Sequence, residues 1–433
     1  MRIAAAAVAG LLASGLLLAS ALAEGGAGRG RLLSGFEARS YRPGGIAVLR
    51  LDPTPARKVV LQLFLAGGAD APGAATAGWD RRIFGEPVTA PRQLRRAHGG
   101  RRWVVHIRLG AKWPSGTYVA RLRWLRQTDY APFVLRPRRL GGRRVLVVEP
   151  TNTWQAYNVT GGDSWYLDPA VHVIDLTRPY ADTDARGGRL PTGLPVQFLR
   201  YDLGFLRWYW DSGFKADFIS DDDLERLPNV AALRHYRLIV FAGHEEYVTA
   251  HVYGLIEHYR NAGGNLAFLS ADNFFYSVQA PPNRIVGRTR WRSLGRPEAA
   301  LLGAEYVGWN EARFPNRSYR VVDTHAAPWL FAGTHLHDGS HFGHYGIEID
   351  SRTSASPADT HVLASIANEF GLGDSADMTI YRRGRSTVFD AGALNFDASA
   401  HWPRVSRLVS NLWRHLSGEP ELLPSDPVRH LGP

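Results

Sequence analysis

The sequence contains no cysteine, and its lysines stand only at positions 58, 112 and 215. Without cysteine the chain has no disulfide, no thiolate nucleophile, no zinc–thiolate site and no iron–sulfur cluster. Any metal ion must therefore be held by oxygen and imidazole ligands. A chain of 433 residues is long enough to be stabilised by a large apolar core instead.

Long apolar runs are absent except at the N-terminus. Arg2 precedes an uncharged apolar run that ends at Ala21-Leu22-Ala23 and is followed by a polar, glycine-rich segment. A basic start, an apolar middle and an Ala-x-Ala site are typical of a secretory signal peptide. We therefore predict a signal peptide over residues 1–23 and a protein exported to the periplasm or the medium. The alternative for the same run is an uncleaved membrane anchor. No membrane contact is expected after cleavage.

Positive charge is in excess, but it is not concentrated. The net charge of +11 comes almost wholly from arginine, in scattered pairs such as Arg95-Arg96 and Arg143-Arg144. A nucleic-acid-binding protein would carry a basic tail or a basic recognition helix. Scattered arginines favour a solvated basic surface. We expect a small-molecule substrate and no nucleic-acid partner.

Residues 33–137 are predicted to form an all-β, Ig-like sandwich. Short apolar runs with alternation are separated by Gly, Pro and Asp, as is typical of such sandwiches. The clearest of these runs lie at 45–51, 58–67, 101–109 and 116–124.

Residues 138–144, RRLGGRR, are predicted to be a linker to a second domain over residues 145–418, which a tail over 419–433 follows. Here buried strands alternate with helical segments, a pattern typical of an α/β domain. We predict a mostly parallel sheet layered as in flavodoxin or glutamine amidotransferases. The segments are 145–150, 203–213, 215–220, 236–243, 249–264 and 265–270, with a hairpin over 375–393 and a final helix over 405–416.

Polar side chains follow three of the predicted buried strands. In open parallel sheets, ligands bind at the carboxyl ends of the strands, where these loops meet. Singly, each residue has a structural explanation: a packing tyrosine, or an acid at a helix N-terminus. Together they favour an active site without naming its reaction. They are Tyr157, Asn158, Tyr166, His244, Glu245, Glu246, Tyr247, Asn273 and Tyr276.

Several motifs, in order, resemble the C-terminal domain of the N,N-dimethylformamidase large subunit. The resemblance covers most of residues 36–416, including a front region similar to the β-sandwich that precedes the catalytic domain in that family. The motifs are NTWQAYN and GGDSWY (152–166), RPY (178–180), GHEEY (243–247), DNFFY (272–276), WRSLGRPEAALLGAEYVG (291–308) and YGIEID (345–350).

The resemblance implies a hydrolase of a linear amide or related C–N bond with one ferric ion. In the family's characterised amidase, two tyrosinates and a glutamate hold the ion; matched by motif, these fall on Tyr157, Tyr166 and Glu246. Catalytic roles would fall on His244 and Asn273, and the basic residue of the tryptophan segment is retained as Arg292. The characterised enzyme also has a small subunit, so the resemblance raises a small subunit or a homo-oligomer as a partner. This sequence does not decide between them.

The chemistry of the ligand set agrees with this assignment. A phenol has a pKa near 10 and becomes a ligand only for a strongly polarising ion that prefers oxygen. Two phenolates and a carboxylate carry three negative charges, which suits Fe(III) better than Zn(II) or Mg(II). A bound ion of this kind polarises an amide carbonyl and activates water.

The sequence departs from the family pattern at several positions. Arg382 stands where an acid is expected in the late hairpin, and position 245 is Glu where relatives carry Pro or Asp. Such departures keep open a non-catalytic exported binding protein as the second hypothesis. A third, a Ser270 nucleophile, lacks the Gly-x-Ser-x-Gly pattern. The loop 333–344 also brings four histidines, which indicate a solvated turn or, less favoured, a second metal site: His335, His337, His341 and His344.

Overall fold

The computed structural model describes residues 32–51, 56–68, 79–96, 103–168, 170–180, 193–310 and 313–419. The predicted signal peptide, and the predicted tail apart from residue 419, lie outside the described residues. The described chain is mostly β-sheet with few helices. Among the described helices, none is both long enough and apolar enough to cross a membrane.

The front region consists of two facing sheets. Along one strand, Trp103, Val105 and Ile107 are buried while the residues between them are exposed, as expected for a strand with one face on a core. One sheet holds β1 (Ser34–Phe36), β3 (Ile46–Leu51) and β7 (Trp103–Arg108). The other holds β2 (Ser40–Tyr41), β4 (Lys58–Leu65), β5 (Glu86–Pro87), β6 (Arg92–Arg95), β8 (Gly116–Trp124) and β9 (Gln127–Leu135). Apolar side chains of both sheets form one core. Membership of the Ig class and the boundary at 137 stay predictions.

The larger front sheet is also buried on its second face. Phe64, Val119 and Val134 share a core with Val145 and Leu206 of the following region. Gly67 lies so close to that region that a Cβ there would be 2.6 Å from the carbonyl carbon of Leu206. The two regions therefore pack against each other through a continuous apolar core.

A nine-stranded mixed sheet forms the centre of the second region. Its order is β12 (Asp217–Ser220), β10 (Val145–Glu149), β13 (Leu238–Phe241), β15 (Asn265–Phe268), β24 (Ser386–Asp390), β23 (Ala376–Arg383), β22 (His361–Ile366), β19 (Arg317–Val321) and β20 (His341–Tyr345). The first five strands are parallel neighbours, and the remaining pairings are antiparallel. The expected mostly parallel sheet is thus correct for one half only. In the other half, the turn between β23 and β24 is only two residues long, a connection that only antiparallel pairing allows.

Two smaller sheets, neither of them predicted, complete the second region. One holds β11 (Val173–Asp175), β17 (Arg284–Arg290), β16 (Tyr276–Gln279) and β14 (Tyr247–Thr249); the other pairs β18 (Glu305–Trp309) with β21 (Glu348–Ser351). Both sheets contain residues that belong to the sequence motifs or directly follow the predicted buried strands. They therefore bring distant segments to the edge where the polar loops lie.

The helices are short apart from two. They are α1 (Thr151–Ala156), α2 (Leu203–Asp211), α3 (Asp221–Glu225), α4 (Ala250–Asn261), α5 (Ala299–Leu302), α6 (Pro328–Phe331) and α7 (Pro403–Ser417). Helix α4 begins after Thr249, whose side chain accepts a hydrogen bond from the Val252 amide. Helix α7 buries Leu408, Leu412 and Trp413 on one face. The helices predicted at 249–264 and 405–416 are confirmed.

Candidate metal and catalytic site

The polar loops meet at the edge of the sheet where the sequence predicted them to meet. Strands β10, β13 and β15 are parallel neighbours, and their carboxyl ends lie at Glu149, Phe241 and Phe268. The loop after each strand supplies one part of the site. These parts are the tyrosines from the first loop, GHEEY from the second and DNFFY from the third.

Two phenols and one carboxylate converge there. The rings of Tyr157 and Tyr166 are stacked, with centroids 3.9 Å apart. The Tyr166 hydroxyl lies 2.9 Å and 2.8 Å from the two carboxylate oxygens of Glu246, and the charge of that carboxylate also acts on the Tyr157 phenol. The structure therefore brings together the three residues that the resemblance assigned as metal ligands.

Backbone contacts hold the GHEEY segment rigidly. The Glu246 amide donates to Thr153 Oγ1 at 3.1 Å, and its carbonyl accepts from the Tyr276 amide at 2.9 Å. At Gly243 a Cβ would lie 2.3 Å from Asp202 Oδ1, so only glycine fits at the start of the motif. The carboxylate of Glu246 is thus fixed by main-chain geometry on both sides.

His244 occupies the middle of an acidic cluster. Its Nε2 atom lies 3.5 Å from a carboxylate oxygen of each of Glu246, Asp272 and Glu348. Neither ring nitrogen of this buried imidazole has a hydrogen-bond partner within the described chain. Ligand atoms of His244, Glu246 and Asp272 all lie within 4.8 Å of one another, and no other group of three such side chains in the described ranges does so. This arrangement is suited to a cation.

Three members of the site were not singled out as ligands or catalytic residues from the sequence. Asp272 adopts a left-handed backbone (φ 55°), and its amide donates to Asp350 Oδ1 at 2.8 Å. Glu348 comes from β21, far along the chain, and the Tyr247 hydroxyl lies 2.6 Å from that of Tyr166. The motifs that contain them, DNFFY, YGIEID and GHEEY, can be recognised in the sequence. The pairing of β21 with β18, which positions Glu348, cannot be recognised there.

Burial and mutual repulsion oppose ionisation throughout the cluster. Burial first, and the Glu246 charge second, raise the pKa values of Tyr157 and Tyr166 well above the usual value of a phenol. Burial raises the pKa of Glu348 to about 8, although His244 acts against it. Only a strong positive charge makes ionised phenols and acids favourable together in such a place. The residues therefore fit a multivalent cation.

Asn273 and Arg292 lie beside this cluster. The Asn273 side-chain oxygen accepts from the Glu245 amide at 2.9 Å, and its buried Nδ2 has no hydrogen-bond partner among the described residues. Arg292 donates to Glu298 and to the Tyr306 carbonyl, each at 2.8 Å. Asn273 thus has a donor available for a ligand, whereas the Arg292 guanidinium already has protein partners. Their predicted catalytic roles stay predictions.

The remaining candidates lie outside the cluster. Ser270 is buried and donates to the Leu394 carbonyl at 2.8 Å, which leaves its hydroxyl engaged. The four histidines of the loop 333–344 are exposed. Arg382 lines a cleft of about 570 Å³ together with Trp329 and His415.

The departure at Arg382 is remote from the candidate site. Arg382 pairs with Thr387 near the start of β24, and the opposite end of that strand, at Asp390, is the end that faces the site. Three residues of strand separate the two, which is about 10 Å. The missing acid therefore does not alter the phenol–carboxylate cluster directly.

Fold and site together define a protein of mixed β-sheets with few helices, in which phenols, carboxylates and one imidazole converge at a place that suits a cation. Residues 74–406 match the family described as N,N-dimethylformamidase beta subunit-like, C-terminal, and the chain belongs to that family. A search of curated proteins found no match.

Solved structures are similar only distantly. A structure described as the mmIFT52 N-terminal domain is 13% identical, with a TM-score of 0.33, over 50% of this chain and 91% of that one. A ThuA-like protein from Parabacteroides merdae is 14% identical, with a TM-score of 0.33, over 52% of this chain and 87% of that one.

Proposed function

We propose that this protein is an exported, metal-dependent hydrolase of a linear amide or a related C–N bond, with a ferric ion held by Tyr157, Tyr166 and Glu246. The observation that carries the proposal is the convergence of these three side chains in a buried cluster. Membership of a family described as beta subunit-like also supports an assembly with further subunits. A small subunit is therefore part of the proposal.

The ligand set fits the ion in kind and charge. Two phenolates and one carboxylate would neutralise a trivalent cation, and phenols beside a carboxylate have little other reason to ionise. When bound, the ion supplies Lewis acidity toward an amide carbonyl and lowers the pKa of water. The uncommitted polar atoms of His244, Asn273 and Glu348 surround the same place.

The protein's own residues would bind the substrate and move protons. His244, between three carboxylates, would carry a proton to the leaving amine. The Nδ2 group of Asn273 would donate to the oxygen on which negative charge develops. Glu348 would accept a hydrogen bond from the attacking water, since one of its oxygens has no partner among the described residues.

The decisive experiment is a titration of the purified protein with Fe(III), followed by visible absorption and metal analysis. A phenolate–iron charge-transfer band and one iron per chain are expected. Tyr166→Phe should weaken the band, because Tyr157 would be the one phenolate left in the ligand set. Tyr253→Phe, whose hydroxyl donates to the Pro297 carbonyl at 3.3 Å, is the matched control and should keep it. A colourless protein that gains no colour with Fe(III) would contradict the assignment.

A second ligand set is supported by one observation. Among the His, Asp and Glu side chains of the described residues, only His244, Glu246 and Asp272 have ligand atoms that all lie within 4.8 Å of one another, and their donor types also suit divalent metals. Metal bound at one per chain without a charge-transfer band, and lost in Asp272→Asn, would favour this set. Amide hydrolysis that is equal in wild type and Glu246→Gln would favour a binding protein instead.

A further inference from the structure

A row of arginines runs along the strand next to the candidate site. Arg288 and Arg290 lie in β17, and Arg292 follows in the 3-10 turn Trp291–Leu294. Alternate residues of a strand point to the same face. Arg288 and Arg290 therefore project from one side of β17.

Aromatic rings hold these guanidinium groups in place. Arg288 lies over the rings of Trp165 and Tyr276, at 5.5 Å and 5.6 Å from their centroids. Arg290 lies 5.2 Å from the Phe275 centroid and pairs with Tyr276 in the register of β16 and β17. A guanidinium that stacks on a ring keeps its N–H edge available for an oxyanion.

The same rings lead directly into the candidate site. Tyr276 stacks on Tyr247 with centroids 5.6 Å apart and ring planes at 9°. The Tyr247 hydroxyl in turn contacts that of Tyr166. Trp165, beneath Arg288, precedes Tyr166, whose side chain is 40% exposed. The arginines thus border the place where the site reaches solvent.

The charges of Arg288 and Arg290 are not neutralised by neighbouring acids. Arg292 forms an ion pair with Glu298, and Arg296 forms one with Glu257. In the part of the chain that the structure describes, neither Arg288 nor Arg290 has an acidic side chain within ion-pair distance. Two uncompensated positive charges therefore stand outside a centre rich in carboxylates.

We propose that Arg288 and Arg290 form a carboxylate-binding subsite, so that the preferred substrates are linear amides with an anionic end. This rests on the proposed function, whose substrate class it specifies. The two guanidinium groups would attract an anion. This attraction would orient the substrate, with its carboxylate on the arginines and its amide toward Glu246. A guanidinium recognises a carboxylate through two parallel hydrogen bonds.

The test compares two linear amides of equal length, one ending in a carboxylate and one in a hydroxyl group. Arg288→Gln and Arg290→Gln should each raise KM for the carboxylate about tenfold and leave KM for the neutral amide unchanged, because a tenfold change corresponds to one charge-assisted contact. Values of kcat should stay within about twofold. Arg290→Lys should recover part of the loss.

The control is Arg126→Gln, which removes an exposed arginine from the turn between β8 and β9, in the front region. It should change neither KM value. Loss of affinity for both amides alike, or for neither, in the Arg288 and Arg290 variants would show that these arginines only cover the rings.

The subsite can be tested even if the proposed hydrolase function is wrong. If neither amide is hydrolysed, calorimetric binding of the two compounds replaces KM, in wild type and in both variants. Tighter binding of the carboxylate that disappears in Arg290→Gln would support the subsite even if the hydrolase assignment fails. Inorganic sulfate as a competitor distinguishes a general anion site, where it displaces the carboxylate, from the proposed carboxylate-specific one, where it does not.

Discussion

Buried acids of the front sheets differ in their hydrogen bonding from buried acids at the edge of the nine-stranded sheet. In the front region, Asp80 accepts from Arg121 at 2.8 Å, from the Tyr130 hydroxyl at 2.9 Å and from the Arg82 amide at 3.0 Å. At the sheet edge, Asp272 and Glu348 each have a buried carboxylate oxygen that lacks a hydrogen-bond partner among the described residues. An unpaired buried polar group is costly. The first arrangement stabilises a fold, and the second is suited to a ligand.

The largest expected effect is the loss of metal and turnover in Glu246→Gln. This change removes one negative ligand but keeps the volume and the hydrogen-bonding shape of the side chain. We expect bound iron to fall to background and amide hydrolysis to drop by about a thousandfold or more, on the order of 4 kcal/mol in activation free energy. Iron analysis and kcat/KM measure this. Unchanged iron content would assign the metal to other residues.

Replacement of Asp80, the hydrogen-bonded acid of the front region, should lower stability and leave catalysis unchanged, unlike replacement of Glu246. Asp80→Asn removes the negative partner of Arg121 in a buried ion pair, where loss of one partner costs about 3 kcal/mol. We expect a lower free energy of unfolding in urea but unchanged kcat per folded molecule. Glu37→Gln is the control, since the Glu37–Arg50 pair is exposed and its loss should have little effect. A drop in kcat without a loss of stability in Asp80→Asn would contradict the proposed difference between the two regions.

The sequence predicted the part of the site that follows the parallel strands, but it did not predict the contribution of Glu348. Tyr157, Tyr166 and Glu246 follow parallel strands whose buried runs are visible in the chain, and parallel ends meet at one edge. Glu348 reaches the same place through the pairing of β18 with β21. That pairing is set by contacts distant in sequence, and no local periodicity reports it. In the antiparallel half of the central sheet, the hairpin predicted over 375–393 is confirmed as β23 and β24, whereas the pairings of β19, β20 and β22 were missed for the same reason.

Arg288 and Arg290 illustrate a further limit. Their residue types and alternate spacing are visible in the sequence, yet scattered arginines elsewhere look similar. What distinguishes them is the layer of rings beneath, from Trp165 in one segment and from Phe275 and Tyr276 in another, which only the fold brings together. The net charge predicted a basic surface, but it did not reveal which arginines border the site.

Metal removal should destabilise the edge of the sheet moderately. A ligand that binds only the folded state stabilises it by about 2.7 kcal/mol at a concentration one hundred times its dissociation constant. We expect a strong chelator to lower the thermal midpoint of the iron-loaded protein, and Fe(III) to restore it. In Glu246→Gln the same treatment should cause no shift. An equal shift in both proteins would show that the chelator acts elsewhere.

A pH dependence of stability is expected from Glu149, at the boundary between the two regions, whose carboxyl accepts a hydrogen bond from Thr117 of the front sheet at 2.7 Å. Burial, with Asp202 second, raises its pKa to about 8, whereas an unfolded glutamate titrates near 4.3. The folded state therefore binds the proton more tightly. Its contribution to stability is complete below about pH 4 and is lost as the pH rises to about 8, by about 1 kcal/mol per pH unit at most.

Glu149→Gln should flatten this dependence, because the amide cannot ionise. Urea unfolding at pH 5 and pH 8 should show a smaller difference for the variant than for the wild type, and the variant should be the more stable of the two at pH 8. Glu37→Gln, which changes an exposed carboxyl of the front region, serves as the control and should leave the slope unaltered. Parallel pH profiles for wild type and Glu149→Gln would mean that this carboxyl is already ionised in the folded protein. The boundary acid would then belong with the paired acids of the front region rather than with the unpaired ones at the sheet edge.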